Sequence, residues 1–184
     1  SDLGRKWLHF FELIQRNLET INLNLISFLQ YTSMERYFVL EDTMEITDKI
    51  AQDVMKNVMK YAKILKKDPE NYEARAEIMW CGSLSHNGLT GCGTCGGDWA
   101  THLIEHELGG MFDVAHGAGL AAVWGSWARY VMDEKPERFA QFAVDVMGVE
   151  ESDDVKSTAL KGIEAVEEFY RMIEMPTNMK ELGI

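Results

Sequence analysis

Four of the five histidines in this 184-residue chain fall in one short stretch: His86, His102, His106 and His116. His9 stands apart. His102 and His106 are four residues apart, so on a helix both project from one face. His116 follows the Gly109-Gly110 pair. A turn there would fold the next helix back beside the first and bring a third imidazole to the same place. Neutral imidazole is a common ligand for divalent iron and zinc. By residue type and spacing alone, two readings stay open: a metal or catalytic site, and a hydrogen-bonded packing cluster. Neighbouring patterns compete. His102-Leu103-Ile104-Glu105-His106 fits the His-x-x-Glu-His pattern of inverted zinc peptidases, with Glu105 as general base, but that chemistry also needs a distal carboxylate ligand. Gly91 to Gly96 spells Gly-x-Gly-x-x-Gly, yet a helical pattern precedes it where a dinucleotide site needs a strand. Cys92 and Cys95 have redox or half-zinc-site spacing; without a second cysteine pair, a plain loop is the expectation.

Helices must position these groups. Trp7, Phe11, Ile14, Leu18, Ile21, Leu25 and Phe28 alternate four and three apart, so residues 5 to 30 read as one amphipathic helix. That face packs on its own domain or pairs with another chain. Thr47 is a candidate N-cap for a second helix, with Ile50, Val54, Val58, Tyr61 and Leu65 inward. Lys63, Lys66 and Lys67 suit its C-terminal end, and Asp68-Pro69 breaks it. A third helix runs from about Tyr72 to Leu84. Gly88 to Gly97 is a loop, because glycine is costly in helices and cheap in turns. Asp98 is a candidate N-cap for the helix of His102 and His106, which Gly109-Gly110 ends. His116 to Tyr130, a segment begun by Pro136 and stopped at Gly148, and about Ser152 to Glu174 complete the set. No alternating strand pattern is present. The spacing predicts an all-α multi-helix bundle.

Composition narrows the function classes. With 46% hydrophobic residues the chain can bury a core. A net charge of −12 repels a phosphate backbone, so no nucleic acid is expected as a partner. No apolar run reaches the length of about 20 residues that a membrane helix needs, so no membrane partner is expected either. Three cysteines do not describe a disulfide framework. A cytoplasmic protein is the expectation.

The stretch Gly97-Asp98-Trp99-Ala100-Thr101-His102-Leu103-Ile104-Glu105-His106-Glu107-Leu108, continued by Phe112-Asp113-Val114-Ala115-His116-Gly117-Ala118-Gly119-Leu120-Ala121, resembles the signature of iron-dependent (group III) alcohol dehydrogenases of the butanol-dehydrogenase type. Met34 to Phe38, Tyr72 to Glu77, Leu84 to Leu89 and the tail from Met175 to Ile184 agree. The resemblance covers about residues 34 to 184. It divides the chain into an amphipathic helix at 1–30 that does not match and a helical domain at 31–184. It implies the C-terminal fold of that family (dehydroquinate synthase-like). It implies a domain that takes part in NAD(P)-dependent oxidation of primary alcohols or reduction of aldehydes. By the resemblance, His102 and His116 would ligate a divalent metal, iron or zinc, and His106 would be the catalytic residue beside the nicotinamide. NAD(P) would bind only where a cofactor domain is supplied. A homo-oligomer or a companion α/β chain is the protein partner this implies. The family has an Asp and a His as its other two ligands; Phe28 and Thr32 stand at those places. Asp98 and Glu105 then read as a helix cap and a surface or outer-shell carboxylate. A non-catalytic, partner-binding helical module is the alternative function, and the His-x-x-Glu-His zinc hydrolase a third.

Overall fold

A computed structural model describes residue 26, residues 31–38 and residues 44–184. Among them every regular element is a helix, as the hydrophobic spacing predicts. The described residues 31–37 are helical and belong to α1. Then come α2 (Glu45–Lys67), α3 (Tyr72–His86), α4 (Ala100–Phe112), α5 (His116–Val131), α6 (Pro136–Asp145), α7 (Val155–Met172) and α8 (Met179–Leu182), with short 3-10 turns at Leu89–Gly91 and Met132–Glu134. The amphipathic helix expected over 5–30 lies outside the described residues, apart from Ile26, which is helical and buried. No helix among the described residues is long and apolar enough to cross a membrane.

The start of α2 and the end of α4 differ from the sequence expectation. Thr47 does not cap α2; the N-cap is Met44, three residues earlier. The Thr47 hydroxyl instead donates to the Cys92 carbonyl, tying α2 to the glycine-rich loop. Gly109-Gly110 does not end α4, because both glycines keep helical geometry. The helix runs on to Phe112 and stops at Asp113 in the left-handed region. Asn71 and Asp154 cap α3 and α7 by accepting from Ala74 and Ser157 backbone N–H groups. Pro136 opens α6 as expected.

α2 packs on α3, α4 on α5, and α6 on α7, with α5 also against α7. The centre is aromatic. The Phe38 ring stacks on Phe139 at 4.4 Å and meets Phe142 at 5.0 Å. Tyr31 stacks on Tyr170 and donates its hydroxyl to the Leu120 carbonyl. Burial raises both phenol pKa values well above the ordinary range, so both stay neutral. Gly162 lets α7 lie against α6: a Cβ there would sit 2.5 Å from that of Ala143.

One buried cation binds three elements together. Arg138 of α6 donates to the Tyr37 carbonyl at 3.0 and 2.7 Å and to both Asp48 oxygens at 2.6 and 2.7 Å. Its guanidinium lies 3.7 Å from the centre of the Tyr37 ring. Removing one partner of such a pair strands the other in a dry site. Arg138→Ala is therefore expected to cost about 3–5 kcal/mol in urea unfolding, against within about 0.5 kcal/mol for the exposed Lys161→Ala.

Candidate metal centre

The site is the corner where α4 meets α5. His102 and His106 lie one turn apart on α4, and His116 is the first residue of α5. Ring centroids are 5.4 Å apart for His102 and His116, 5.4 Å for His106 and His116, and 6.4 Å for His102 and His106. The turn that brings the third imidazole back is at Asp113, three residues beyond the glycine pair where the sequence placed it. His102 is buried, His116 half-buried and His106 exposed.

Two buried carboxylates attend these rings. Glu105 is 1% exposed, and its Oε2 pairs with His116 Nδ1. It is therefore not a surface group. Gly119 makes the room for it: a Cβ at that position would stand 2.7 Å from Glu105 Cγ and 2.8 Å from Oε1. The second carboxylate, Glu35 of α1, sits at the start of α4. Its Oε2 accepts from the Trp99 backbone N–H at 2.9 Å, and its Oε1 accepts from the Thr101 hydroxyl and lies 3.2 Å from His102 Nδ1.

Asp98 is not the cap of α4. The N-cap is Trp99, at φ 64, and no side chain of its own caps the helix. The negative charge that a helix N-terminus favours comes from Glu35 instead, 64 residues upstream. Trp99 is held in this conformation by its indole N–H, which donates to the Gly96 carbonyl, and its ring meets that of His102 edge-on at 5.1 Å. The sequence offered one signal for Glu35, the Met34 to Phe38 stretch, but nothing that assigned the carboxylate a role.

Donor atoms of Glu105, His106 and His116 lie within 4.8 Å of one another, an arrangement able to hold a divalent ion. His102 adjoins that group through the His116 ring. The residues present therefore fit a metal. The expected set of His102 and His116, with His106 beside them, and the tighter group containing Glu105 share His116. Of the two places where the family's other ligands would stand, Phe28 lies outside the described residues. Thr32 is buried, with its hydroxyl oxygen 3.4 Å from His86 Nε2. Cys92 and Cys95 are exposed free thiols in the glycine-rich loop.

Comparison with known proteins settles the lineage. Residues 31–184 match the Fe-containing alcohol dehydrogenase family, C-terminal part. The chain belongs to this family. It is 32% identical over 153 residues to NADH-dependent butanol dehydrogenase A of Clostridium acetobutylicum, covering 83% of this chain and 39% of that protein. It is 31% identical over 153 residues to the NADPH-dependent aldehyde reductase YqhD of Escherichia coli, again 83% of this chain and 39% of the relative. The fold superposes on the crystal structure of NADH-dependent butanol dehydrogenase A from Thermotoga maritima with a TM-score of 0.86 and 34% identity, over 90% of this chain and 41% of that one. The chain thus spans about two-fifths of the length of these relatives.

Two outcomes are expected from this geometry. Gly119→Ala should displace Glu105 and destabilise the chain by about 1–3 kcal/mol through overpacking. Gly110→Ala, with nothing within 4 Å of the added methyl group, should stabilise α4 by about 0.5–1 kcal/mol; paired chemical denaturation curves compare the two. In thiol labelling at neutral pH, Cys92 and Cys95 should react quickly. Cys81, whose pKa burial and Glu77 push up to about 11, should react only on unfolding.

Proposed function

We propose that this chain is the metal-binding helical part of an NAD(P)-dependent oxidoreductase of primary alcohols and aldehydes. The convergence of His102, His106 and His116 at the α4–α5 corner, backed by two buried carboxylates, carries the reading. His102 and His116 are the proposed metal ligands, with iron or zinc as the ion. A bound ion would act as a Lewis acid on the substrate oxygen, and the nicotinamide would accept or give the hydride. The chain's own residues do the rest. The buried Glu35 and Glu105 fix two of the rings. His106 is exposed at the mouth of the cluster, where it can exchange a proton with solvent and relay it to or from the substrate oxygen. Dinucleotide binding would fall to a cofactor domain supplied with this chain.

One observation favours a second reading, a partner-binding helical module without catalysis. Leu103, Ile104, Met111 and Phe112 of α4 are all exposed. Apolar surface of this kind marks a contact face. A companion α/β chain would cover it under the first reading as well, so metal binding separates the two.

The purified chain is expected to hold one divalent ion, counted by plasma mass spectrometry after dialysis. His102→Ala and His116→Ala should each weaken Co2+ affinity by more than about 100-fold, beyond the cost of losing an outer-shell partner. His106→Ala should leave affinity near that of the parent and abolish butanol oxidation in the presence of a dinucleotide-binding partner. Affinity lost with His106→Ala but kept with His102→Ala would move the ion to the Glu105–His106–His116 group. No ion in the parent chain would favour the module.

A further inference from the structure

Glu35 belongs to neither α4 nor α5, yet it meets both the first residues of α4 and the ring of His102. Its two oxygens are accounted for. Oε2 accepts the Trp99 backbone N–H, and Oε1 accepts the Thr101 hydroxyl. A carboxyl group accepting at both oxygens is the ionised, acceptor-only form. The His102 Nδ1 that lies 3.2 Å from Oε1 must then be the donor. An imidazole that donates from Nδ1 carries its lone pair on Nε2. His116 is placed in a similar way: its Nδ1 pairs with an oxygen of the buried Glu105, in the space left by Gly119. Two rings from two helices are thus gripped by the same atom, each by a buried carboxylate from a different element.

We propose that Glu35 and Glu105 are positioning residues that fix the tautomer and ring orientation of His102 and His116, so that Nε2 of each is the atom presented to a divalent metal ion. This rests on the metal-binding reading above. A carboxylate behind a ligating imidazole raises the basicity of the ring and removes the freedom to rotate or to switch tautomer before the ion arrives. Glu35 carries a second consequence. Because it also supplies the negative charge at the α4 N-terminus, the start of that helix and the orientation of His102 share one group.

The test uses the whole chain and two readouts. Long-range 1H–15N correlation spectra of the metal-free protein, recorded with the imidazoles neutral, report which ring nitrogen bears the proton. The His102 signals are assigned by their loss in His102→Gln. The expected result is a proton on Nδ1 of His102 in the parent, and a shift towards the Nε2-protonated form in Glu35→Gln, whose amide can donate to Nδ1. Thr101→Val, which removes a different partner of Glu35, should keep the parent tautomer. Co2+ titration, followed by its visible absorption, should show affinity falling about 10–100-fold in Glu35→Gln and in Glu105→Gln. A parent His102 protonated on Nε2 would overturn the proposal even if every variant failed to fold. So would a folded Glu35→Gln that keeps the parent tautomer and the parent Co2+ affinity. A parent that shows the Nδ1 proton but binds no Co2+ would overturn the metal reading, and the positioning role with it, while leaving the Glu35–His102 hydrogen bond established.

Discussion

A buried carboxylate cannot sit in a protein interior without donors, and Glu35 has found its donors at the start of α4. The rest of the site depends on that constraint. α4 begins at a residue with positive φ and has no capping side chain of its own, so its N-terminal dipole and open N–H groups need an outside acceptor. The helix of His102 and His106 is therefore fixed to α1 by charge-assisted hydrogen bonding. His102 inherits its orientation from this contact. Moving α1 would leave Glu35 without these donors.

The aromatic centre and Arg138 perform the matching task for α1 itself. Tyr37 and Phe38 at the end of α1 lie against α6, and Arg138 closes the contact by occupying the Tyr37 carbonyl and Asp48 together. A fully paired guanidinium contributes direction more than net stability, because desolvation offsets much of its attraction. Its effect is to lock α1, α2 and α6 into one arrangement, and Glu35 rides on α1. A chain of contacts therefore runs from α6 through Arg138 and α1 to the histidine cluster. Glycine completes the corner from the other side. Gly119 removes a side chain where α5 faces Glu105, which lets a carboxylate be buried where two helices cross.

Much of this was legible in the sequence. The 3.6-residue periodicity gave the helices, because burying one face of each is the dominant driving force and leaves a direct imprint on residue order. Pro136 and the glycine-rich stretch marked boundaries through backbone chemistry that acts locally. The four-residue spacing of His102 and His106 placed both rings on one face, and the signature from Gly97 to Ala121 identified the lineage. Where local rules competed with distant groups, they failed. Asp98 had the right side chain for a cap, but the backbone at Trp99 turns to meet Glu35. Gly109-Gly110 had the right residues for a stop, but nothing obliges a glycine to leave helical geometry while its neighbours remain hydrogen-bonded.

By itself, then, the sequence determined the all-α architecture, the family, and the three imidazoles of the candidate site, since each is written in spacing or residue type along a short segment. Only the tertiary structure decided which carboxylates stand behind those imidazoles. Glu35 reaches His102 across 67 residues of chain and Glu105 reaches His116 around a helix corner. No periodicity encodes such contacts, because they exist only when separate helices bring their charges into one buried space where each must satisfy the other.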